Sequence, residues 1–475
     1  MSKLYVDVLH LIFEKFQGDK DDKKSLISCL SVNITWCELI VPILWKNPWE
    51  YLKIGKEKIL LKVIISHFSD ELRDNLSQDN EFLIDSYKRP LFNYISFWRH
   101  LNLERIERMF NAHIHFKEIK NDLLNLFIYN NTKFTHLYIY QQFNRQIHLI
   151  PESKQCFSDI KFLSCNASID DYVLIGLIEM CESIKELEIF IEKGNKNYGI
   201  NNLIKSSKKL FNISLIRTEF SFSKYSRNDE SMESFCNILE NSLINHSNTI
   251  KYFKLTKQPI TKILSHLINL KILELDGSFQ DMAWDRIENL SLPYLQILKA
   301  KSIPIKYLTN LIENTSGYLI EIKIDYIGHD EINNKKIIKA IYQNCPNLQY
   351  LNLMFRKSNI LELEKLLIKC QYLNGLFFII DSDDTINWDK LFEILTKFSP
   401  NNLFNFKFYS VNQIKLNSLK LFFDNWKVEH KHPMLLKFFR MKIVSEYVDL
   451  VESYKIEGVV KKFDHDLYGE DFEWI

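Results

Sequence analysis

The chain has 475 residues, 46% of them hydrophobic, so it can bury a large core. Its 61 Lys and Arg residues are balanced by 60 Asp and Glu residues, and this balance disfavours nucleic acid or an anionic membrane as a partner. The eight cysteines include no Cys-x-x-Cys pair, and no run of about 18 apolar residues could span a bilayer, so we expect a reduced protein of the cytoplasm or nucleus.

The first 48 residues predict a compact helical module. One helical face is formed by Val8, Leu9, Ile12, Phe13 and Phe16. After a charged turn, Asn33 is a predicted N-cap for a second amphipathic segment. Two or three short helices are expected, with ends near Pro42 and Pro48.

Within this module a particular set of residues arrives in order: Leu4, Asp7, Val8, Leu9, Ile12, Phe13, Leu30, Ser31, Val32, Trp36, Ile43, Leu44 and Trp45. The set resembles the F-box, the helical module that docks onto the Skp adaptor of cullin-type ubiquitin ligases. The chain departs from that pattern at Tyr5, where proline is usual, and at Ile34-Thr35, where a basic residue is usual. The resemblance implies an adaptor surface, or its support, formed by Leu4, Val8, Leu9, Ile12, Phe13, Val32 and Trp36. The alternative is an ordinary helical cap, which would explain the apolar periodicity but not the two tryptophans.

Residues 49–130 predict a helical linker with a break at Arg89-Pro90. An aromatic cluster in this segment could be a binding patch, but packing between the flanking domains is the commoner use of such residues. The cluster comprises Phe92, Tyr94, Phe97 and Trp98.

From residue 134 one apolar pattern recurs, in which residues at i, i+3 and i+5 form a triad and the last two flank a residue of the opposite face. The triads are Phe134/Leu137/Ile139, Phe157/Ile160/Phe162, Ile184/Leu187/Ile189, Leu210/Ile213/Leu215, Ile250/Phe253/Leu255, Leu270/Leu273/Leu275, Leu295/Leu298/Ala300, Leu319/Ile322/Ile324, Leu348/Leu351/Leu353, Leu373/Leu376/Phe378 and Leu403/Phe406/Phe408. Most start about 20 to 30 residues apart, close to the period of leucine-rich repeats. Amphipathic helical segments lie between them, so each unit reads as a strand followed by a helix.

Cysteines placed three residues before a triad, as in Cys345-Pro346-Asn347-Leu348, resemble the cysteine-containing class of leucine-rich repeats that commonly follows an F-box. The asparagine expected after the triad is absent, since Arg356 stands there. The predicted fold is an α/β repeat solenoid: an all-α F-box over 1–48, a helical linker over 49–130, an irregular leucine-rich-repeat horseshoe over 131–432 and a closing segment over 433–475.

No nucleotide-binding or catalytic motif occurs in the sequence, so we expect no enzyme activity, no cofactor and no metal. Cys181, Cys345 and Cys370 suggest a metal or redox site, but equivalent positions in successive repeats favour packing. The pairs His113/His115 and His430/His432 lie two residues apart, without a nearby cysteine, and are expected to be exposed.

The residue between the last two triad members is expected on a concave face. These residues are Tyr138, Lys161, Glu188, Ser214, Lys254, Glu274, Lys299, Lys323, Asn352, Phe377 and Lys407. Each could simply be solvated, but as a set they predict a surface for a protein substrate, with contacts at Tyr138, Tyr252, Lys254, Glu274, Lys299, Lys323, Tyr350, Asn352 and Phe377. With the F-box resemblance, this surface favours a substrate-recognition subunit of a cullin-type ubiquitin ligase. The alternative is a binding scaffold that never joins a ligase.

Overall fold

The structure is a computed structural model that describes residues 3–16, 20–50, 52–53, 55–78, 89–112, 116–129, 133–139, 143–192, 196–218, 230–277, 284–325, 330–380, 386–430, 432–441 and 443–466. The chain divides near residue 210 into two compact units.

The first unit begins with three helices: α1 (Lys3–Lys15), α2 (Lys20–Cys29) and α3 (Ile34–Trp45). They enclose a small core of Leu9, Phe13, Leu26, Ile40 and Ile43. The predicted N-cap is confirmed, because the Asn33 side chain accepts a hydrogen bond from the Trp36 backbone N–H at 2.9 Å.

Helix α3 does not end at Pro42, contrary to the prediction, but continues to Trp45. An interior proline costs about 3 kcal/mol because it removes one helical hydrogen bond. Burial of Ile40, Val41 and Ile43 offsets this cost, since each fully buried aliphatic side chain contributes about 1.5–3 kcal/mol.

The rest of the first unit alternates helices with short strands. Its elements are α4 (Glu57–Ile65), α5 (Asp70–Gln78), a 3₁₀ turn (Tyr94–Phe97), β1 (His100–Asn102), α6 (Leu103–Asn111), α7 (Phe116–Tyr129), β2 (His136–Tyr138), α8 (Ser153–Phe157), β3 (Phe162–Asn166), α9 (Asp171–Met180), β4 (Glu186–Glu192) and α10 (Ile200–Ser206). Strands β1 to β4 pair in parallel in chain order. Their register aligns Leu101, Leu137, Leu163 and Leu187, all of which are buried.

Strand β1 lies within the segment that the sequence predicted to be a helical linker. Trp98, Leu101 and Leu103 have the i, i+3, i+5 spacing of a triad, and all three are buried. The repeat pattern therefore begins earlier than the first triad identified in the sequence.

One predicted triad, Phe157/Ile160/Phe162, is out of register by three residues. Strand β3 places Leu163 and Cys165 inside, so the triad is Ile160/Leu163/Cys165. On β3, the residue aligned with Tyr138 of β2 is Ser164 and not the predicted Lys161. Both frames contain three apolar residues, so periodicity alone could not distinguish them.

The second unit continues the same alternation over ten strands and eight helices among the described residues. Its elements are β5 (Asn212–Thr218), α11 (Glu230–Ile244), β6 (Tyr252–Leu255), α12 (Ile263–His266), β7 (Ile272–Asp276), β8 (Ile297–Lys301), α13 (Ile305–Glu313), β9 (Glu321–Asp325), α14 (Glu331–Asn344), β10 (Tyr350–Met354), α15 (Ile360–Lys369), β11 (Gly375–Ile379), α16 (Trp388–Phe398), β12 (Asn405–Tyr409), α17 (Leu416–Glu429), β13 (Met434–Phe439), α18 (Ser445–Ile456) and β14 (Val460–Asp466).

Strands β5 to β14 also pair in parallel in chain order, while neighbouring helices from α13 to α18 pack side by side. The middle members of the triads align across the strands and are buried: Ile213, Phe253, Leu273, Leu298, Ile322, Leu351, Leu376, Phe406 and Leu436. This arrangement confirms the predicted α/β solenoid. Strands β13 and β14 extend it into residues 433–475, the segment predicted to close the repeats.

Two buried asparagines, Asn334 and Asn359, connect adjacent repeats. The Asn334 amide donates to the Met354 backbone carbonyl at 2.7 Å and accepts from the Asn359 amide at 3.0 Å. Asn359 also donates to the Glu331 carbonyl at 2.8 Å. These bonds join α14 to the end of β10 and to the turn before α15.

Candidate functional sites

The residues predicted to form the adaptor surface fall into two groups. Leu9 and Phe13 are buried, and the Trp36 ring packs edge-on against Phe13 at 5.1 Å between centroids. Val8, Ile12 and Val32 are 46%, 43% and 56% exposed. The Leu4 side chain lies outside the described part of the chain. The first group therefore builds the helical module, and the second is available at its surface.

The same three helices carry further exposed apolar residues that were missed in the sequence. Leu11 lies with Val8 and Ile12 at i, i+3 and i+4, so the three share a face of α1 beside its core-facing side. Ile27 and Ile34 are exposed as well, Ile34 at 78%. A helical-wheel comparison of adjacent faces would have found Leu11. An exposed apolar surface on so small a module is characteristic of an interaction site.

The second candidate site is the open strand face of the second unit, formed by the alternate strand side chains that point away from the buried triads. Over β6 to β10 it contains three rows. The first row is Tyr252, Ile272, Ile297, Glu321 and Tyr350; the second row is Lys254, Glu274, Lys299, Lys323 and Asn352; the third row, over β7 to β9, is Asp276, Lys301 and Asp325. The structure therefore brings together most of the predicted substrate contacts.

Charges in the second and third rows pair across neighbouring strands. Glu274 lies between two ammonium groups, 3.8 Å from Lys254 Nζ and 3.3 Å from Lys299 Nζ. Asp276 and Lys301 are 4.0 Å apart. These residues line a shallow pocket of about 160 Å³. Partly exposed ion pairs of this kind contribute about 0–1 kcal/mol each to stability. Charged groups of a bound protein could therefore replace them at little cost.

The structure corrects the expectation for Asn352 and Phe377, which occupy the predicted row but are only 1% and 2% exposed. The Asn352 amide donates to Asp325 Oδ1 at 2.6 Å. The Phe377 ring stacks on Phe439 at 5.2 Å. Both side chains are used within the fold, so direct contact with a partner falls to their neighbours.

On the first unit, aromatic rings occupy the corresponding face. His100 and His136 stack at 3.7 Å between centroids, and Phe162 lies 5.5 Å from His136 and 5.1 Å from the predicted contact residue Tyr138. Burial, assisted by the charges of His136 and Lys46, lowers the pKa of His100 to about 3. Burial, followed by the Glu188 carboxylate, raises the pKa of Tyr138. The histidine stack was missed because its members are 36 residues apart in sequence.

The repeat-turn cysteines are buried, in keeping with a packing role. Burial raises the pKa of the Cys181 and Cys370 thiols to about 12, so both are protonated at neutral pH. No cluster of three His, Cys, Asp or Glu side chains that could hold a metal occurs in the described ranges.

The expectation of exposed histidine pairs is corrected at His430, which is half-buried and stacks on Trp426 at 3.8 Å. His432 is exposed, while His113 and His115 lie outside the described residues. No helix in the described part of the chain is both long and apolar enough to cross a bilayer.

No protein-family model matches the sequence, and no curated protein matches it. Among solved structures, the chain is similar to the leucine-rich repeat-containing protein LegL7 from Legionella pneumophila, with 13% sequence identity, 63% of this chain and 90% of that chain covered, and a TM-score of 0.36. The solenoid assignment rests on the strand order and register of the chain itself.

Proposed function

We propose that the protein is a substrate-recognition subunit of a cullin-type ubiquitin ligase, acting in the cytoplasm or nucleus. The N-terminal helices would dock onto the Skp adaptor, and the open strand face would hold a protein substrate. The chain itself would perform no chemistry; it would raise the local concentration of substrate lysines beside the ubiquitin-charged enzyme.

The observation that carries this proposal is the exposed apolar face of α1. Val8, Leu11 and Ile12 point away from the core formed by Leu9 and Phe13, although a solvated cap would carry polar residues there. This division, together with the residues that resemble an F-box, supports a docking surface. The solenoid supports the other half, because stacked repeats present extended surfaces to protein partners.

The test is co-purification of the full chain with recombinant Skp adaptor, comparing Val8→Asp/Ile12→Asp with the unmodified chain. We expect adaptor affinity to fall at least tenfold, because two charges would enter an apolar interface at a cost of more than about 1.4 kcal/mol. Phe13 is unsuitable for this test, since it is buried and its replacement by Asp would unfold the module.

The matched control is Leu361→Asp/Ile368→Asp, which places the same two charges at exposed apolar positions of α15. This control should bind the adaptor normally, and circular dichroism should show both variants folded. Undiminished adaptor binding by Val8→Asp/Ile12→Asp would refute the docking surface.

The second candidate is a protein-binding scaffold that never joins a ligase. Its supporting observation is the segment Ile34-Thr35, just before Trp36, where an F-box usually carries a basic residue. Ile34 is apolar and exposed there. Failure of the intact chain to bind the adaptor at all would exclude the ligase role and leave this alternative.

A further inference from the structure

We infer that the edge of the second unit at which the strands begin binds a proline-rich protein segment in the polyproline II conformation. The edge is formed by the four residues that precede each of β8 to β12: 293–296, 317–320, 346–349, 371–374 and 401–404. We call these residues the neutral edge. The inference goes beyond the proposed ligase role and involves neither the N-terminal helices nor the open strand face.

The neutral edge is a continuous surface without charge. The first residues of β8 to β12 are aligned with one another, so the five segments lie side by side. Each segment contains one buried leucine and three residues that are half-buried or exposed. None of these surface residues is charged, although 25% of the residues in the chain are. Because the edge carries no lysine or arginine, it does not attract phosphates, and it favours an uncharged ligand.

Three tyrosines project from this edge at equivalent positions. Tyr294, Tyr318 and Tyr372 each lie three residues before a strand and are 51%, 50% and 58% exposed. The rings of Tyr294 and Tyr318 contact each other, with 6.1 Å between their centroids. Tyrosine supplies a large, rigid contact area at a low cost in conformational entropy, and it is enriched among the residues that dominate binding energies. The repeated tyrosines therefore indicate a binding surface for an elongated ligand.

The spacing of the rings matches a polyproline II helix. Tyr318 and Tyr372 lie two strands apart, which corresponds to about 9.6 Å at a strand spacing of about 4.8 Å. A polyproline II helix has three residues per turn and rises about 3.1 Å per residue, so its side chains recur on one face every ~9.3 Å. Prolines at positions i and i+3 of the ligand would therefore pack on these two rings.

Asn347 lies between the two rings and supplies a hydrogen-bond donor. Its amide donates to the Gly317 carbonyl at 3.1 Å, and a side-chain amide carries two N–H protons. The carbonyls of a polyproline II segment have no internal partner, and proline has no backbone N–H. Such a ligand is rich in acceptors and poor in donors, and the neutral edge offers it phenol and amide donors.

The experiment measures the binding of fluorescein-labelled 12-residue peptides to the full chain by fluorescence anisotropy. Four Pro-Ala-Ala repeats place proline at every third residue, six Pro-Ala repeats place it at every second residue, and six Gly-Ser repeats form a flexible control. We expect the Pro-Ala-Ala peptide to bind at least tenfold more tightly than the Gly-Ser peptide. It should also bind at least threefold more tightly than the Pro-Ala peptide, although the latter contains more proline.

Two variants assign the binding to the neutral edge. Tyr318→Ala/Tyr372→Ala removes both rings, and Tyr129→Ala/Tyr172→Ala removes two similarly exposed tyrosines from α7 and α9. The first variant should bind the Pro-Ala-Ala peptide at least tenfold more weakly, whereas the second should keep its affinity within about twofold. Both should keep the circular dichroism spectrum of the unmodified chain.

Absence of saturable binding would overturn the inference, as would equal affinities for the Pro-Ala-Ala and Pro-Ala peptides or equal losses in the two variants. Tighter binding of labelled maltohexaose than of any peptide would also overturn it and identify the edge as a glycan site. Adaptor co-purification depends on the N-terminal helices alone, so failure of peptide binding and failure of adaptor docking are distinguishable.

Discussion

Asn334 shows how one residue can hold two repeats together. Its side chain has no exposed surface and bonds to Met354 and Asn359, so Asn334→Ala would leave the Met354 carbonyl and the Asn359 amide without these partners. We expect a loss of about 1–3 kcal/mol in the free energy of unfolding, measured by urea denaturation. Gln343→Ala, at an exposed position of the same helix, should change this quantity by less than about 0.5 kcal/mol; an equal loss in both would contradict the role of Asn334.

His100 makes stability depend on pH in a defined direction. In the unfolded chain its pKa returns to the ordinary value of 6.5, whereas in the folded chain burial lowers the pKa to about 3. Between these values the unfolded state binds more protons, so the free energy of unfolding should fall as pH decreases from 6.5 towards 3. His100→Gln should flatten this dependence in denaturation series at several pH values. A slope for His100→Gln parallel to that of the unmodified chain would contradict the assignment.

Among the elements, the sequence was sufficient to predict strands whose inward residues alternate with polar ones. Leu351 and Leu353 flank Asn352, and β10 has the predicted register. The same reasoning failed at β3, where two overlapping frames are equally apolar. It also missed β1, because a three-residue strand provides little periodicity and His100–Asn102 lies between helical segments.

The candidate sites were less predictable from the sequence than the strands were. Whether a side chain on the open strand face is exposed depends on residues distant in sequence, as Phe377 and Phe439 show by stacking across β11 and β13. No local pattern contains that information. By contrast, Val8 and Ile12 were identified through the residues that resemble an F-box. Helical periodicity had placed them on one face with Leu9 and Phe13, which are buried.

Across a whole unit, stacked repeats make the folding energetics largely local, since each repeat contacts its neighbours. Ile213 and Ile322 are buried on β5 and β9, four strands apart, so Ile213→Val and Ile322→Val should each cost about 0.5–1.5 kcal/mol and add within about 0.5 kcal/mol. Ile322→Val and Leu351→Ala lie opposite each other on adjacent strands and should deviate from additivity by more than about 0.5 kcal/mol. Double-mutant cycles by urea denaturation measure both, and equal coupling in the two pairs would contradict the local picture.

Because side chains alternate along each strand, the open face and the core can be substituted independently of each other. Changes at Lys254, Glu274 or Lys299 leave the neighbouring buried residues Phe253, Leu273 and Leu298 in place, so the chemistry of the face can vary while the core stays the same. Each strand then contributes its own outward residue to the binding surface, and a protein with this scaffold could acquire new partners through substitutions at a few of these positions. A library randomised at these three positions would sample new specificities on an unchanged scaffold.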